Sequence, residues 1–239
     1  MGVAAFTIKG MIFQDTVTVI TGASQGFGKA LAKAWKRENA RVIISSHEKE
    51  NLEKTAREVS VDHFSAYVTS PESVIGLGEY VVNKYKRIDY WINNAGIQIA
   101  PSPAENIDIH KLHHLFAVNF FGYFYGCQVA LSHMKKQRSG VIVNINSTAG
   151  LEGKPGISAY VSSKFAIRGL TESIRREVKD TNIKVLGVFP GGMQTDIYRE
   201  KYPGDFKEYM DVESVAEKVM ANLKSESPEA DFVIKRPGK

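Results

Sequence analysis

The chain has 239 residues, of which 43% are hydrophobic and 24% charged, enough for one large α/β domain with a well-buried core. Its net charge of +5 comes from scattered Lys and Arg, with KKQR at 135–138 the densest run, which reads as solvated surface and gives no nucleic-acid footprint. Cys127 stands alone, so no intrachain disulfide is available and a reducing compartment is expected.

Residues 1–15 form a lead-in with little pattern. They lack the basic n-region and apolar h-region of a signal peptide, and Phe6 breaks the myristoylation pattern that Gly2 would open. No apolar run approaches the roughly eighteen residues of a membrane span, so a cytoplasmic protein with no membrane partner is expected. From residue 16 onward the chain reads as one domain. A strand over 17–21 runs into GASQGFG and the helical KALAKAWKRE, and a second strand over 41–45 precedes a helix over 48–60. A weaker strand lies near 63–68, and Pro71 suits the first turn of a helix reaching about 86. Strand 88–92 ends in NNAG. Then come a long helical region over 107–137, strand 141–146, helix 158–180 and strand 183–189, stopped by Pro190. Helix 211–225 and a short strand over 232–234 close the chain. Strands alternating with helices of this length build βαβ units and a parallel sheet.

Gly22, Gly26 and Gly28 sit between an apolar strand and an amphipathic helix. There glycines let the backbone approach a pyrophosphate at the helix N-terminus, and Ser24 can add a hydroxyl. In such folds an acidic residue about 20 positions on holds the ribose diol, and a basic one accepts a 2′-phosphate. Here the second strand ends Ser45-Ser46-His47, without a carboxylate at its tip, although Glu48 is next. Ser46 can bond a phosphate, and His47 and Lys49 can partly neutralise it. NADP(H) is therefore favoured, with NAD(H) the alternative.

Tyr160 lies four residues before Lys164 and thirteen after Ser147. The tyrosine–lysine spacing alone decides nothing, because Tyr80 and Lys84 repeat it. Position does: Tyr160 and Lys164 open the helix after a parallel strand, at the carboxyl edge where ligands bind, whereas Tyr80 and Lys84 close theirs.

With TGASQGFG at 21–28, NNAG at 93–96, Asn119, Ser147, Tyr160, Lys164 and PGG at 190–192, in order over residues 15–235, the chain resembles the short-chain dehydrogenase/reductase family. The resemblance implies a doubly wound Rossmann fold with a seven-stranded parallel sheet, and a homodimer or homotetramer packed through two long helices. It implies Tyr160 as general acid/base, and Lys164 bonding the nicotinamide ribose. Ser147 would polarise the substrate oxygen, and Asn119 would hold a water that links Lys164 to solvent. Phe27 completes the glycine loop. Asn94, Ala95 and Gly96 would shape the adenosine-side wall, and Pro190, Gly191 and Thr195 would contact the carboxamide and phosphates. Tyr67-Val68 stands where the family usually carries an Asp for the adenine, with Tyr67 in place of that Asp and Val68 a cofactor contact. The stretch 193–210 would be the substrate lid, with Tyr198, Tyr202, Phe206 and Tyr209 either lining a pocket or packing the lid down.

A phenol with a pKa near 10 is a poor proton donor at neutral pH. Lys164, one helical turn along, places a cation beside it. With a nicotinamide cation nearby a depression of about 3 units is expected, worth roughly 4 kcal/mol. His110, His113 and His114 have helical spacing for metal ligation but lack an acidic or cysteine partner, so no metal is expected. The aromatic run over 116–125 reads as core or helix–helix interface. The ending DFVIKRPGK lacks the glycine-rich terminal motif common in 3-oxoacyl carrier-protein reductases. The expected activity is hydride transfer between NADP(H) and a small carbonyl or alcohol. An NAD-dependent alcohol dehydrogenase using the same residues, or a non-catalytic nucleotide sensor, are the alternatives.

Overall fold

A computed structural model describes residues 13–236. Seven strands form one parallel sheet in the order β3-β2-β1-β4-β5-β6-β7. They are β1 Val17–Thr21, β2 Arg41–Ser46, β3 Asp62–Ser65, β4 Tyr90–Asn93, β5 Gly140–Ile145, β6 Ile183–Pro190 and β7 Asp231–Ile234. The order reverses between β3-β2-β1 and β4-β5-β6, and that reversal opens a crevice at the carboxyl ends of β1 and β4. The doubly wound parallel sheet expected from the alternating pattern is present.

The central strands β1 and β4 are buried along their whole length because both faces are covered. Helices α1 (Gly26–Arg37), α2 (Lys49–Val59) and α7 (Val212–Lys224) pack Leu31, Trp35, Leu52, Val215 and Val219 against one face. Helices α3 (Pro71–Tyr85), α5 (Gly122–Gln137) and α6 (Ser158–Glu177) pack Leu77, Val81, Ala130, Met134 and Ile174 against the other. Phe13 falls inside the stretch read as a lead-in, yet it is buried, stacked on Tyr90 at 5.3 Å and edge-on to Trp35 at 5.7 Å. The rest of that lead-in, residues 1–12, lies outside the described residues.

Element boundaries shift from expectation where pairing decides them. The third strand stops at Ser65 because β2, its partner, ends at Ser46. The long helical region begins at Ile109, where the Asp108 carboxylate accepts from the backbone N–H groups of His110 and Lys111. It is not one uniform α-helix: α4 (Ile109–Phe116) passes through a π-helical stretch, Ala117–Phe121, into α5. Over 18 residues the combined helix Ile109–Gln137 is apolar enough to cross a membrane, with mean hydropathy 1.2, contrary to the expectation of no such segment. Half of that window is buried inside the protein, against the sheet and α3, as befits a core helix.

Candidate active site

One cleft of about 570 Å³ opens at the carboxyl edge. Its walls bring together Gly22, Ser24, Gly26, Phe27 and Gly28 from the first loop, Ser46 and His47 after β2, and Val68 after β3. Asn94, Ala95 and Gly96 come from the end of β4, Ser147 follows β5, and Tyr160 and Lys164 stand on the first turns of α6. Pro190, Gly191 and Thr195 close the far side. Of the residues expected to carry catalysis or contact the cofactor, Lys49 and Asn119 do not line this space.

The glycine loop fits an anionic group. Gly22 has φ +63°, and a Cβ there would lie 2.5 Å from Ala95 Cα; one on Gly28 would lie 2.4 Å from the Gly22 oxygen. The strand–helix turn thus closes only with glycine at both positions. Gly26, φ +54°, has only Thr195 facing it, at 3.6 Å from a would-be Cβ, so Gly26 and Thr195 flank one opening. Helix α1 has no side-chain N-cap and no acidic residue in its first turn. Its free N–H groups and positive dipole end face that opening.

Beyond β2 the structure corrects the reading of an acid-free strand tip. Ser24 Oγ donates to Ser46 Oγ at 3.1 Å and lies 3.3 Å from Glu48 Oε2, while the Glu48 N–H donates to Ser46 Oγ at 3.2 Å. The Glu48 carboxylate therefore turns back over both serines into the cleft. Tyr67 and His47 face each other there at 5.7 Å. Val68 has a packing role in place of a polar one: a Cβ on Gly122 would be 3.0 Å from the Val68 Cβ, so the valine seats the start of α5.

At the catalytic end, the Tyr160 phenol is buried and hydrogen-bonded to Ser147. Ser147 in turn accepts the Ala149 N–H at 3.1 Å, which fixes its hydroxyl at the strand end. Lys164 Nζ is buried, donates to the Ile145 carbonyl at 3.2 Å, and lies over the Tyr160 ring at 5.5 Å. Burial pushes the Tyr160 phenol up to about 12, opposed by the Ser147 hydrogen bond. Burial also pushes the Lys164 ammonium down to about 7. The expected depression of the tyrosine by its lysine is thus not supplied by the protein's own groups. Desolvation wins on both residues, because neither has an ionised partner.

Asn119 stands behind the cleft wall, fully buried in the π-helical stretch. Its Oδ1 accepts the Ile97 N–H at 2.9 Å, and its Nδ2 donates to the Ile97 carbonyl at 2.9 Å and to Ser163 Oγ at 3.1 Å. The side chain ties the wall residue Ile97 to α6. The extra residue of a π turn rotates Asn119 to where both can be reached.

On the substrate side Ile97, Ile99, Met193, Ile197 and Tyr198 line the cleft, and the polar Gln98, Asp196 and Arg199 line it beside them. None of the first five was singled out as cleft lining except Tyr198; isolated Ile residues in loops carry no sequence signal. The lid 193–210 is pinned at its ends by the Met193–Met210 bridge. Tyr198 lines the cleft, whereas Tyr202, Phe206 and Tyr209 pack on it and on one another. Glu200 latches the lid to the opposite wall through Lys111 Nζ at 3.1 Å and the Ala100 N–H at 3.1 Å. Among the described residues, no three His, Cys, Asp or Glu are grouped to hold a metal; of the three histidines only His114 reaches the cleft rim.

The family model for short chain dehydrogenases matches residues 16–225. A 3-oxoacyl-(acyl-carrier-protein) reductase of Thermotoga maritima is 35% identical over 207 residues, covering 83% of this chain and 82% of the relative. An alcohol dehydrogenase from Thermococcus sibiricus, solved with 5-hydroxy-NADP, superposes with TM-score 0.84 at 25% identity, covering 93% of this chain and 96% of the other. A 3-ketoacyl-(acyl-carrier-protein) reductase from Brucella melitensis, solved with NADH, shares the fold with TM-score 0.86 at 24% identity, covering 93% and 97%.

Proposed function

The chain belongs to the short chain dehydrogenase family of oxidoreductases, and from that premise we propose a nicotinamide-dinucleotide-dependent reductase of small to medium carbonyl compounds, with NADP(H) favoured by Ser46 and His47 against the opposing Glu48 carboxylate. The observation that carries the reading is the cluster of Ser147 with the buried Tyr160 and Lys164 at one end of the cleft whose other end is the glycine loop. The loop glycines, the uncapped α1 N-terminus and Thr195 would hold the pyrophosphate. Ser46, His47 and Glu48 would meet the adenosine ribose, and Lys164 the nicotinamide ribose. A bound nicotinamide dinucleotide supplies the hydride and, when oxidised, a positive charge beside the phenol.

Tyr160 gives its proton to the substrate oxygen, and the Ser147 hydroxyl orients that oxygen against it. Lys164, once charged, stabilises the phenolate left behind. The same residues run in reverse on an alcohol. Ile97, Ile99, Ile197 and Tyr198 exclude water and favour an apolar substrate, and the charged groups Lys111 and Glu200 at the rim neutralise each other. The exposed Phe121, Phe124 and Phe165 on α5, its preceding turn and α6 offer an apolar face for a second copy, consistent with a homo-oligomer.

The test is a panel of apolar ketones, aldehydes and alcohols run with NADPH and NADH, following nicotinamide absorbance. Turnover of apolar carbonyls is expected, with NADPH bound several-fold more tightly than NADH, and Glu48→Gln widening that gap by removing a carboxylate that repels a 2′-phosphate. Cofactor binding without turnover anywhere in the panel points to a nucleotide sensor and overturns the enzyme reading. Equal or reversed affinities overturn the NADP preference alone.

A further inference from the structure

Lys164 is buried where it meets the cleft wall, and the groups around its ammonium are few. From β5 the Ile145 carbonyl accepts its proton at 3.2 Å. From α6 the Tyr160 ring lies 5.5 Å away, and from α5 the Tyr123 ring lies 5.4 Å away, so the ammonium is held between two aromatic faces. The Tyr123 hydroxyl donates to the same Ile145 carbonyl at 2.7 Å. Register explains why that carbonyl accepts side-chain donors. The pairing of β4 with β5 ends at Asn93↔Asn144, and Ile145 runs one residue past it. Tyr123 itself is 1% exposed and sits in the wall between sheet and α5, out of contact with the cleft.

We infer that Tyr123 is the positioning residue for Lys164: its ring faces the ammonium, and its hydroxyl fixes the carbonyl to which that ammonium is bonded. The importance of this contact for turnover rests on the catalytic reading above; the contact itself does not. An aromatic face attracts a desolvated cation through its quadrupole, which offsets part of the cost of charging a buried lysine. A carbonyl has two lone pairs, so one donor can steer it while the other bonds. Tyr123 is suited to the task because burial holds its phenol well above the ordinary 10, so it stays a neutral donor. The remaining titratable groups nearby are Tyr160 with its partner Ser147, Tyr198 on the lid side of Tyr160, and Cys127 below Tyr123. Burial pushes that thiol up to about 12, so no fixed anion competes for the lysine.

The decisive measurement is unfolding free energy against pH from 6 to 10 on the full chain without nucleotide. It is made for the parent, Tyr123→Phe and Tyr123→Leu, each with and without Lys164→Met. The difference between each pair isolates the Lys164 titration. Tyr123→Leu removes the ring and is expected to move that titration down by up to about one unit, while Tyr123→Phe keeps the ring and leaves it in place. With a substrate found in the panel, Tyr123→Phe is expected to lower kcat about three- to tenfold with KM within about twofold, because the lysine's carbonyl anchor is free to turn. An unmoved Lys164 titration in Tyr123→Leu overturns the ring contact. Parental kcat in the isosteric Tyr123→Phe, which retains the packing should the leucine variant not fold, overturns the role of the hydroxyl. Near-normal turnover in Tyr160→Phe would instead sink the catalytic reading and leave the titration result standing.

Discussion

Two tyrosine–lysine pairs with the same four-residue spacing lie at opposite edges of one sheet, and their surroundings have turned them into different chemical objects. Tyr80 and Lys84 close α3 at the amino edge. Lys84 is half-exposed and bonded to the Asp62 carboxylate at 2.5 Å, which raises its pKa above the ordinary 10.5. Lys164 is buried, bonded only to a neutral carbonyl among the contacts named above, and sits near 7. One lysine is a fixed cation on the surface; the other is poised to change charge near neutral pH. Spacing placed both on helix faces, and burial together with the partner's charge decided the rest.

The sharpest way to break that contrast is to remove each phenol. Tyr160→Phe is expected to lower turnover by about a thousandfold or more while cofactor still binds, since a positioned proton donor contributes about 10²–10⁴. Tyr80 packs on Phe64 at 5.2 Å, far from the cleft, and Tyr80→Phe is expected to leave kcat and KM unchanged. Similar losses in both variants, measured as kcat with cofactor affinity checked by titration, would dissolve the distinction.

How far the sequence could foresee the contrast depends on which physical effect was involved. Alternating strands and helices, the glycine triplet and the order of NNAG, Ser147, Tyr160 and Lys164 are local patterns, and each stands where a parallel sheet requires. The sign of the Tyr160 shift is not local: it comes from the summed burial supplied by α5, β5 and the lid, which no window of residues contains. The π turn at Asn119 adds one residue to a helix without disturbing its apolar stripe, and so leaves no trace in the periodicity. Glu48 turns inward because Ser24 and Ser46 offer hydroxyls from two different loops. Phe13 was invisible because a single aromatic in a patternless stretch carries no period.

Replacing each lysine gives the next largest effect. Lys164→Met is expected to lower turnover about a hundredfold or more, because nothing else can offset the phenolate. It is also expected to raise stability. The folded pKa of Lys164 lies below its ordinary 10.5, so between about 7 and 10.5 the unfolded chain binds the proton that the folded chain refuses. The parent is therefore progressively less stable than Lys164→Met as pH falls through that window, and the gap levels off below about 7. At neutral pH a rise in Tm on the order of 5 °C is expected. An unchanged or lowered Tm would mean that the lysine is charged and compensated in the folded protein.

The smallest effect is the control that makes the slope meaningful. Lys84 and Asp62 form an ion pair whose side chains are 45% and 32% exposed, with Tyr85 also donating to the carboxylate. Water screens such a pair, so Lys84→Met is expected to change stability by no more than about 1 kcal/mol and activity not at all. Its pH dependence runs opposite to that of Lys164. A lysine raised above 10.5 contributes its stability below that value and loses it as pH climbs past the folded pKa, while Asp62, lowered from 3.8, contributes above that value and loses it in acid. Between pH 6 and 10 both groups are charged in the folded and unfolded states alike, and the difference between the parent and Lys84→Met is flat. A flat line for Lys84→Met beside a sloping one for Lys164→Met, from thermal or urea unfolding across that range, would separate the two lysines by charge state alone, with no substrate in hand. A slope in both would assign the pH dependence to the molecule as a whole and remove the claim that burial singles out Lys164.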